Sequence, residues 1–217
     1  YLRVYINEEE QCLLTVTEAA AALGVNYHSR WFMDVEESTF TDEINALATY
    51  GIVEGDGLGR FYPANNLKRS EVCAMLGRAL GLTENHNSYF SDVRPDDPCT
   101  PYINAMAELG LVQGIGNGKF NPNGTISQQE YFTILGRAAR YLNFNCDYEM
   151  EGLPREALDE MTALGVHAWA LKDMALMELL GGMCLSSGEL QPTAPVLREE
   201  AAASLHAILT GVGVLPN

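Results

Sequence analysis

The chain carries the same apolar stripe three times. Val72, Met75, Leu76 and Ala79 stand at the i, i+3, i+4, i+7 spacing that buries one face of a helix, and Tyr131, Ile134, Leu135 and Ala138 repeat it. Ala201, Ser204, Leu205 and Ile208 repeat it again. A shorter stripe precedes each: Ile44 and Leu47, then Ile103 and Met106, then Met174 and Met177. Gly51, Gly110 and Gly181 follow these shorter stripes where a helix would close on a residue of positive φ. The pattern predicts short helix, loop, longer helix, three times over. A repeat of this kind decides the fold before any single motif does.

The connecting segments repeat too. Phe32-Met33-Asp34-Val35 returns as Phe90-Ser91-Asp92-Val93. Gly55-Asp56-Gly57-Leu58-Gly59 returns as Gly114-Ile115-Gly116-Asn117-Gly118, each followed by Phe-x-Pro at Phe61–Pro63 and Phe120–Pro122. The third copy is fainter: Leu185, Ser186 and Ser187 replace most of the glycines, and the Phe-x-Asp-Val opening is missing. Glu71, Glu130 and Glu200 fall in register at the start of the longer helices. With Ser127, Glu130 forms a capping box, whereas Lys68 and Leu197 at the equivalent places bring no hydroxyl. Asp34 and Asp92 read as caps or turn residues just before the first helix of each copy.

The ordered set resembles the S-layer homology repeat, over roughly residues 32–210. The boundaries read as a lead-in over 1–31, repeats over 32–89, 90–143 and 144–211, and a tail over 212–217. Residues 1–24 fit the back half of a preceding unit, with Thr15 and Glu18 as a capping box, or else a strand at Tyr1–Ile6 followed by a helix. The resemblance implies an all-α fold, three helix–loop–helix repeats packed as a pseudo-threefold helical body with a groove between each pair. It implies a non-catalytic anchor at the bacterial cell surface that holds a secondary cell-wall polymer, a pyruvylated glycan or peptidoglycan-linked material, in those grooves. The alternative is a structural or protein–protein module that keeps the fold and has lost the polymer.

The residues that the resemblance points to are read copy by copy. In copy one, Arg69 stands at the family's arginine, Lys68 adds charge beside it, and Gly55, Asp56 and Gly57 form the loop. In copy two Gln128 replaces the arginine, while Gly114 and Gly116 keep the loop. In copy three Arg198 is present without the loop, and Trp169 matches an aromatic common at the start of the first helix. One intact groove is expected, built from Arg69 with Gly55–Gly59, followed in rank by copy three and then copy two. A guanidinium with loop amides is suited to a carboxylate on a sugar.

Composition narrows the partners. Thirteen Lys+Arg against 29 Asp+Glu give a formal charge of −16, which excludes a phosphate-neutralising nucleic-acid binder and adsorption to anionic lipid. It also works against an anionic polymer, so local positive charge has to compensate within the screening length of about 8–10 Å. Arg60, Lys68, Arg69 and Arg78 form the densest basic cluster, in copy one. No apolar run reaches the roughly 20 residues that span a bilayer. The chain opens on Tyr1 without a leader and reads as a mature fragment. Five widely spaced cysteines include no CxxC, so neither a zinc site nor a disulfide framework is expected. The scattered His28, His86, His167 and His206, without HExxH or Gly-x-Ser-x-Gly, supply no catalytic constellation, and no cofactor is called for.

Overall fold

The structure, a computed structural model, describes residues 31–82, 85, 87–142 and 153–215, and the backbone of 2–6 and 9–14. From residue 31 onward the described body is all-α. Its helices are α1 (Thr41–Thr49), α2 (Arg69–Ala79), α3 (Thr100–Glu108), α4 (Gln128–Tyr141), α5 (Arg155–Ala163), α6 (Leu171–Leu179) and α7 (Arg198–Gly211). The lead-in carries an antiparallel hairpin, β1 (Leu2–Ile6) and β2 (Glu9–Leu14), with a register shift between Val4 and Tyr5. Thr15 and Glu18, and the helix expected after them, lie outside the described residues.

The short helices α1, α3 and α6 end as their sequences predict. Gly51, Gly110 and Gly181 have φ of 68°, 70° and 63°. The next amide reaches back to the helix in each case: Ile52 to Leu47, Leu111 to Met106, Gly182 to Met177. This closure turns the chain sharply toward the loop and satisfies carbonyls that the helix leaves open. Helix α5 is an addition that the repeat pattern did not predict. It buries little beyond Met161 and packs on α6.

A ring of backbone bonds ties the three segments together. The Leu67 amide donates to Val196, the Val196 amide to Ile126, and the Ile126 amide to Leu67, at 2.9, 3.0 and 3.1 Å. All three side chains are fully buried, so these amides and carbonyls have no water to turn to and must pair with one another. The start of each long helix leans on the next segment in the same sense. Arg69 and Ser70 donate to Gly124 and Pro122, Gln128 and Gln129 to Ala194 and Pro192, and Arg198 and Glu199 to Asn65 and Pro63. Helix packing runs in the same cycle: α2 lies against α3, α4 against α6, and α7 against α1. The core filling this cycle includes Phe61, Phe120, Tyr131, Phe132, Ile44 and Leu76.

Candidate functional site

The paired motifs build the groove walls. Phe32 stacks on Phe61 with ring centroids 5.2 Å apart, and Phe90 on Phe120 at 5.1 Å. Asp34 Oδ1 and Oδ2 accept the amides of Phe61 and Tyr62, each at 2.8 Å, and Asp92 does the same for Phe120 and Asn121. Both aspartates lie in turns, as one of the two sequence expectations has it, but they fasten the Phe-x-Pro segment some 28 residues ahead rather than capping the helix that follows them. Their partners Tyr62 and Asn121 sit at φ of 59°, a left-handed conformation that two carboxylate bonds hold in place. Burial disfavours the Asp92 carboxylate, but the Phe120 and Asn121 amides outweigh it and hold its pKa below the ordinary value.

The same phenylalanines explain the first loop glycines. A Cβ on Gly55 would lie 2.3 Å from the Arg60 carbonyl oxygen and 2.7 Å from the Phe32 ring, and Gly114 meets Lys119 and Phe90 in the same way. Gly57 and Gly116 have positive φ, 76° and 101°. Asp56 turns its carboxylate inward, accepting from the amides of Leu58 and Arg60 and from the Tyr62 hydroxyl. The Leu58 amide heads the causes that lower its pKa. Asp56 shapes its own loop.

The arginines reach across junctions. Arg69, only 7% exposed, donates from Nε to the Phe120 carbonyl, from Nη1 to Glu130 and from Nη2 to the Gln113 carbonyl, and its guanidinium lies 4.8 Å from the Phe120 ring centre. Arg198 repeats the arrangement with the Phe61 carbonyl, Glu71, the Glu54 carbonyl and the Phe61 ring. Glu71 and Glu130 divide their oxygens: one accepts the backbone amide at the start of its own helix (Lys68, Ser127), the other takes the arginine. Among the described residues only Ser127 completes the reciprocal capping box through its hydroxyl.

This geometry regroups the sequence-predicted residues. Arg69 does not share a groove with Gly55–Gly59. It lies with the second glycine loop, and Arg198 lies with the first. Groove one, about 360 Å³, is lined by Gly55, Asp56, Lys68, Arg78 and Arg198 among others. Groove two, about 240 Å³, is lined by Arg69, Gly114, Ile115, Arg137 and the half-exposed Trp169. Two grooves, not one, thus combine a guanidinium with a glycine loop. The order copy one, copy three, copy two also dissolves, because each groove draws on more than one copy. At the third junction Gln128 accepts the Gln191 amide instead, and Glu200 takes the amide and hydroxyl of Ser186.

Sequence reasoning missed Glu54 and Arg137. Arg78, counted as free basic charge, is paired with Glu54 at 2.5 Å and lies over Tyr102. The signal was available in register: Arg78 and Arg137 occupy one position of the repeat, as do Glu54 and Gln113. Among the described residues Cys73, Cys99 and Cys184 are free, and burial pushes the Cys99 thiol up to about 11. No group of the described residues could hold a metal ion, and none of their helices is long and apolar enough to cross a membrane.

A helical body whose segments are braced by arginine across open, glycine-lined grooves belongs to the class of repeat-built helical modules. Within that class, residues 32–73 and 89–132 match the S-layer homology domain, a cell-wall binding module. The chain is 28% identical over 163 residues to the S-layer protein sap of Bacillus anthracis, an alignment covering 74% of this chain and 19% of that protein. It is 29% identical over 191 residues to Exoglucanase XynX of Acetivibrio thermocellus, covering 86% of this chain and 17% of that protein. It is 26% identical over 180 residues to the Surface-layer 125 kDa protein of Lysinibacillus sphaericus, covering 81% and 14%. The chain spans less than a fifth of each of these relatives. The matches indicate a bacterial cell-surface or cell-wall location.

Proposed function

We propose that this chain is a non-catalytic anchoring module that holds a larger surface protein on the cell wall by binding a secondary cell-wall polymer, of the pyruvylated-glycan type, in its inter-repeat grooves. In this reading residues 144–211 are a third, degenerate repeat, and the three close into a pseudo-threefold body. The cyclic bonds among Leu67, Ile126 and Val196 support it. The observation that carries the ligand assignment is the cross-junction arginine. Each of Arg69 and Arg198 spends three N–H groups on two carbonyls and a carboxylate, which fixes the plane of the guanidinium and leaves two N–H groups of its five for a ligand. A donor immobilised in advance loses little entropy on binding.

The experiment is co-sedimentation with purified sacculi, before and after the secondary polymer is stripped. Arg69→Ala would confuse binding with stability, because Arg69 is buried. Trp169→Ala and Lys68→Gln change exposed groove residues and leave the braces intact. Binding that disappears with the polymer and weakens in these two variants is the expected result. Equal binding to stripped and unstripped sacculi would overturn the polymer assignment, and no binding to either would favour the structural module.

A further inference from the structure

The two grooves occupy equivalent places but differ in charge. Groove one is lined by three cations, Lys68, Arg78 and Arg198, and three carboxylates, Glu54, Asp56 and Glu71, which sum to zero. Groove two is lined by Arg69 and Arg137 against Glu130 alone, a net charge of +1. Two register positions produce the difference. Where groove one has Glu54 and Asp56, groove two has Gln113 and Ile115. In a chain of −16 this is a locally positive cleft, and short-range charge decides recognition once salt has screened the rest.

The partners of the equivalent arginines differ as well. Arg78 in groove one is neutralised by Glu54 at 2.5 Å. Arg137 in groove two has a long bond from Nη1 to the Leu111 carbonyl at 3.3 Å, and its Nε lies 3.9 Å from Asp173. Asp173 is itself buried and hydrogen-bonded by Arg140, so one carboxylate faces two guanidinium groups. Burial lowers the pKa of Arg137, the direction expected of a desolvated cation held at 3.9 Å from its carboxylate. An acid group from outside would offset that desolvation at a closer distance. Trp169, half exposed on the same groove, offers a flat apolar face of the kind on which a sugar ring stacks.

We propose that groove two is the acid-selecting groove, with Arg137 meeting the acid group of a saccharide that lies on Trp169. The assignment rests on the anchoring reading but singles out one groove and one arginine. Trp31 and Trp169 are the two tryptophans of the chain, so Trp31→Phe leaves Trp169 as a fluorescent reporter inside groove two. In that background we expect methyl glucuronide or glucose 6-phosphate to change Trp169 emission while methyl glucoside does not. The two acidic probes separate carboxylate from phosphate recognition.

Arg137→Gln should weaken the acidic response at least tenfold, Arg137→Lys should keep most of it, and Arg78→Gln should leave it unchanged. An unchanged response in Arg137→Gln, or a loss in Arg78→Gln, overturns the assignment. No response to either acidic probe overturns it too. Sacculus sedimentation of the same proteins then shows whether the anchoring reading survives without it.

Discussion

Two junctions of the molecule are locked by a guanidinium and the third by neutral groups. At the first two, Arg198 and Arg69 each bridge two carbonyls and a glutamate of the neighbouring segment. At the third, Gln128 supplies one acceptor to Gln191, and Ser186 takes over the donation to Glu200. The backbone ring through Leu67, Ile126 and Val196 is the same at all three. The comparison separates two jobs. Main-chain bonds close the cycle whatever the side chains are, whereas side chains decide how stiff each junction is and what its groove offers a ligand. The replacements at the third junction are coupled: with no arginine at 128, the buried Glu200 needs a donor, and Ser186 in place of a loop glycine provides one.

The largest test of that difference is removal of a brace. Arg69→Ala strips three bonds and leaves Glu130 without its cation, and should cost about 2–4 kcal/mol in urea denaturation. Gln128→Ala at the third junction should cost only about 1 kcal/mol. Equal losses would mean that the guanidinium brace is not what stiffens the first two junctions.

Next is Gly55→Ala, whose Cβ would strike the Arg60 carbonyl and the Phe32 ring. A loss of about 1–3 kcal/mol is expected. In the double variant Phe32→Leu/Gly55→Ala, part of the second loss should disappear, because the two positions share one space.

Asp92→Asn places an amide group where a carboxylate oxygen faced a backbone N–H, and should cost about 1–2 kcal/mol at pH 7. The folded pKa of Asp92 is depressed, so its contribution is fully present above the unfolded value near ~4 and disappears as pH falls through the folded value. The gap between the parent and Asp92→Asn should therefore narrow in denaturation curves taken from pH 5 down to pH 2–3, about the acid end of the range. A gap that stays constant with pH would assign the loss to packing.

The smallest effect sharpens the third junction. Ser186→Ala should cost about 1 kcal/mol by removing one donor from Glu200, and Gln128→Arg in that background should recover it by restoring the missing cation. If the arginine gives the same change with Ser186 present, the two sites are independent and are not coupled.

Much of the fold was legible because it is local. Apolar stripes, closing glycines and the Phe-x-Asp-Val and Phe-x-Pro blocks lie within single copies, and periodicity reads such features directly. Helix α5 was not legible, because it brings one buried methionine and no counterpart in the other copies. Of the residues singled out in the sequence, Arg69, Arg198, Lys68, Trp169, Gly55 and Gly114 line one of the two grooves. Their grouping was not legible. Reading copy by copy assigns each arginine to the loop before it in the chain, whereas the cycle passes it to the neighbouring segment.

What the sequence by itself determined is the unit: where each helix runs, where glycine must stand, and which residue types recur at the groove positions. Those follow from 3.6-residue periodicity and from backbone conformations that a few residues alone can reach. What only the tertiary structure decided is who meets whom. Arg69 faces Gly114 and Trp169, Arg198 faces Gly55, and Arg78 and Arg137, equal in register, end with different charge around them. Contacts of that kind span up to 144 residues of chain, and no local pattern encodes a pairing that exists only once the ring has closed.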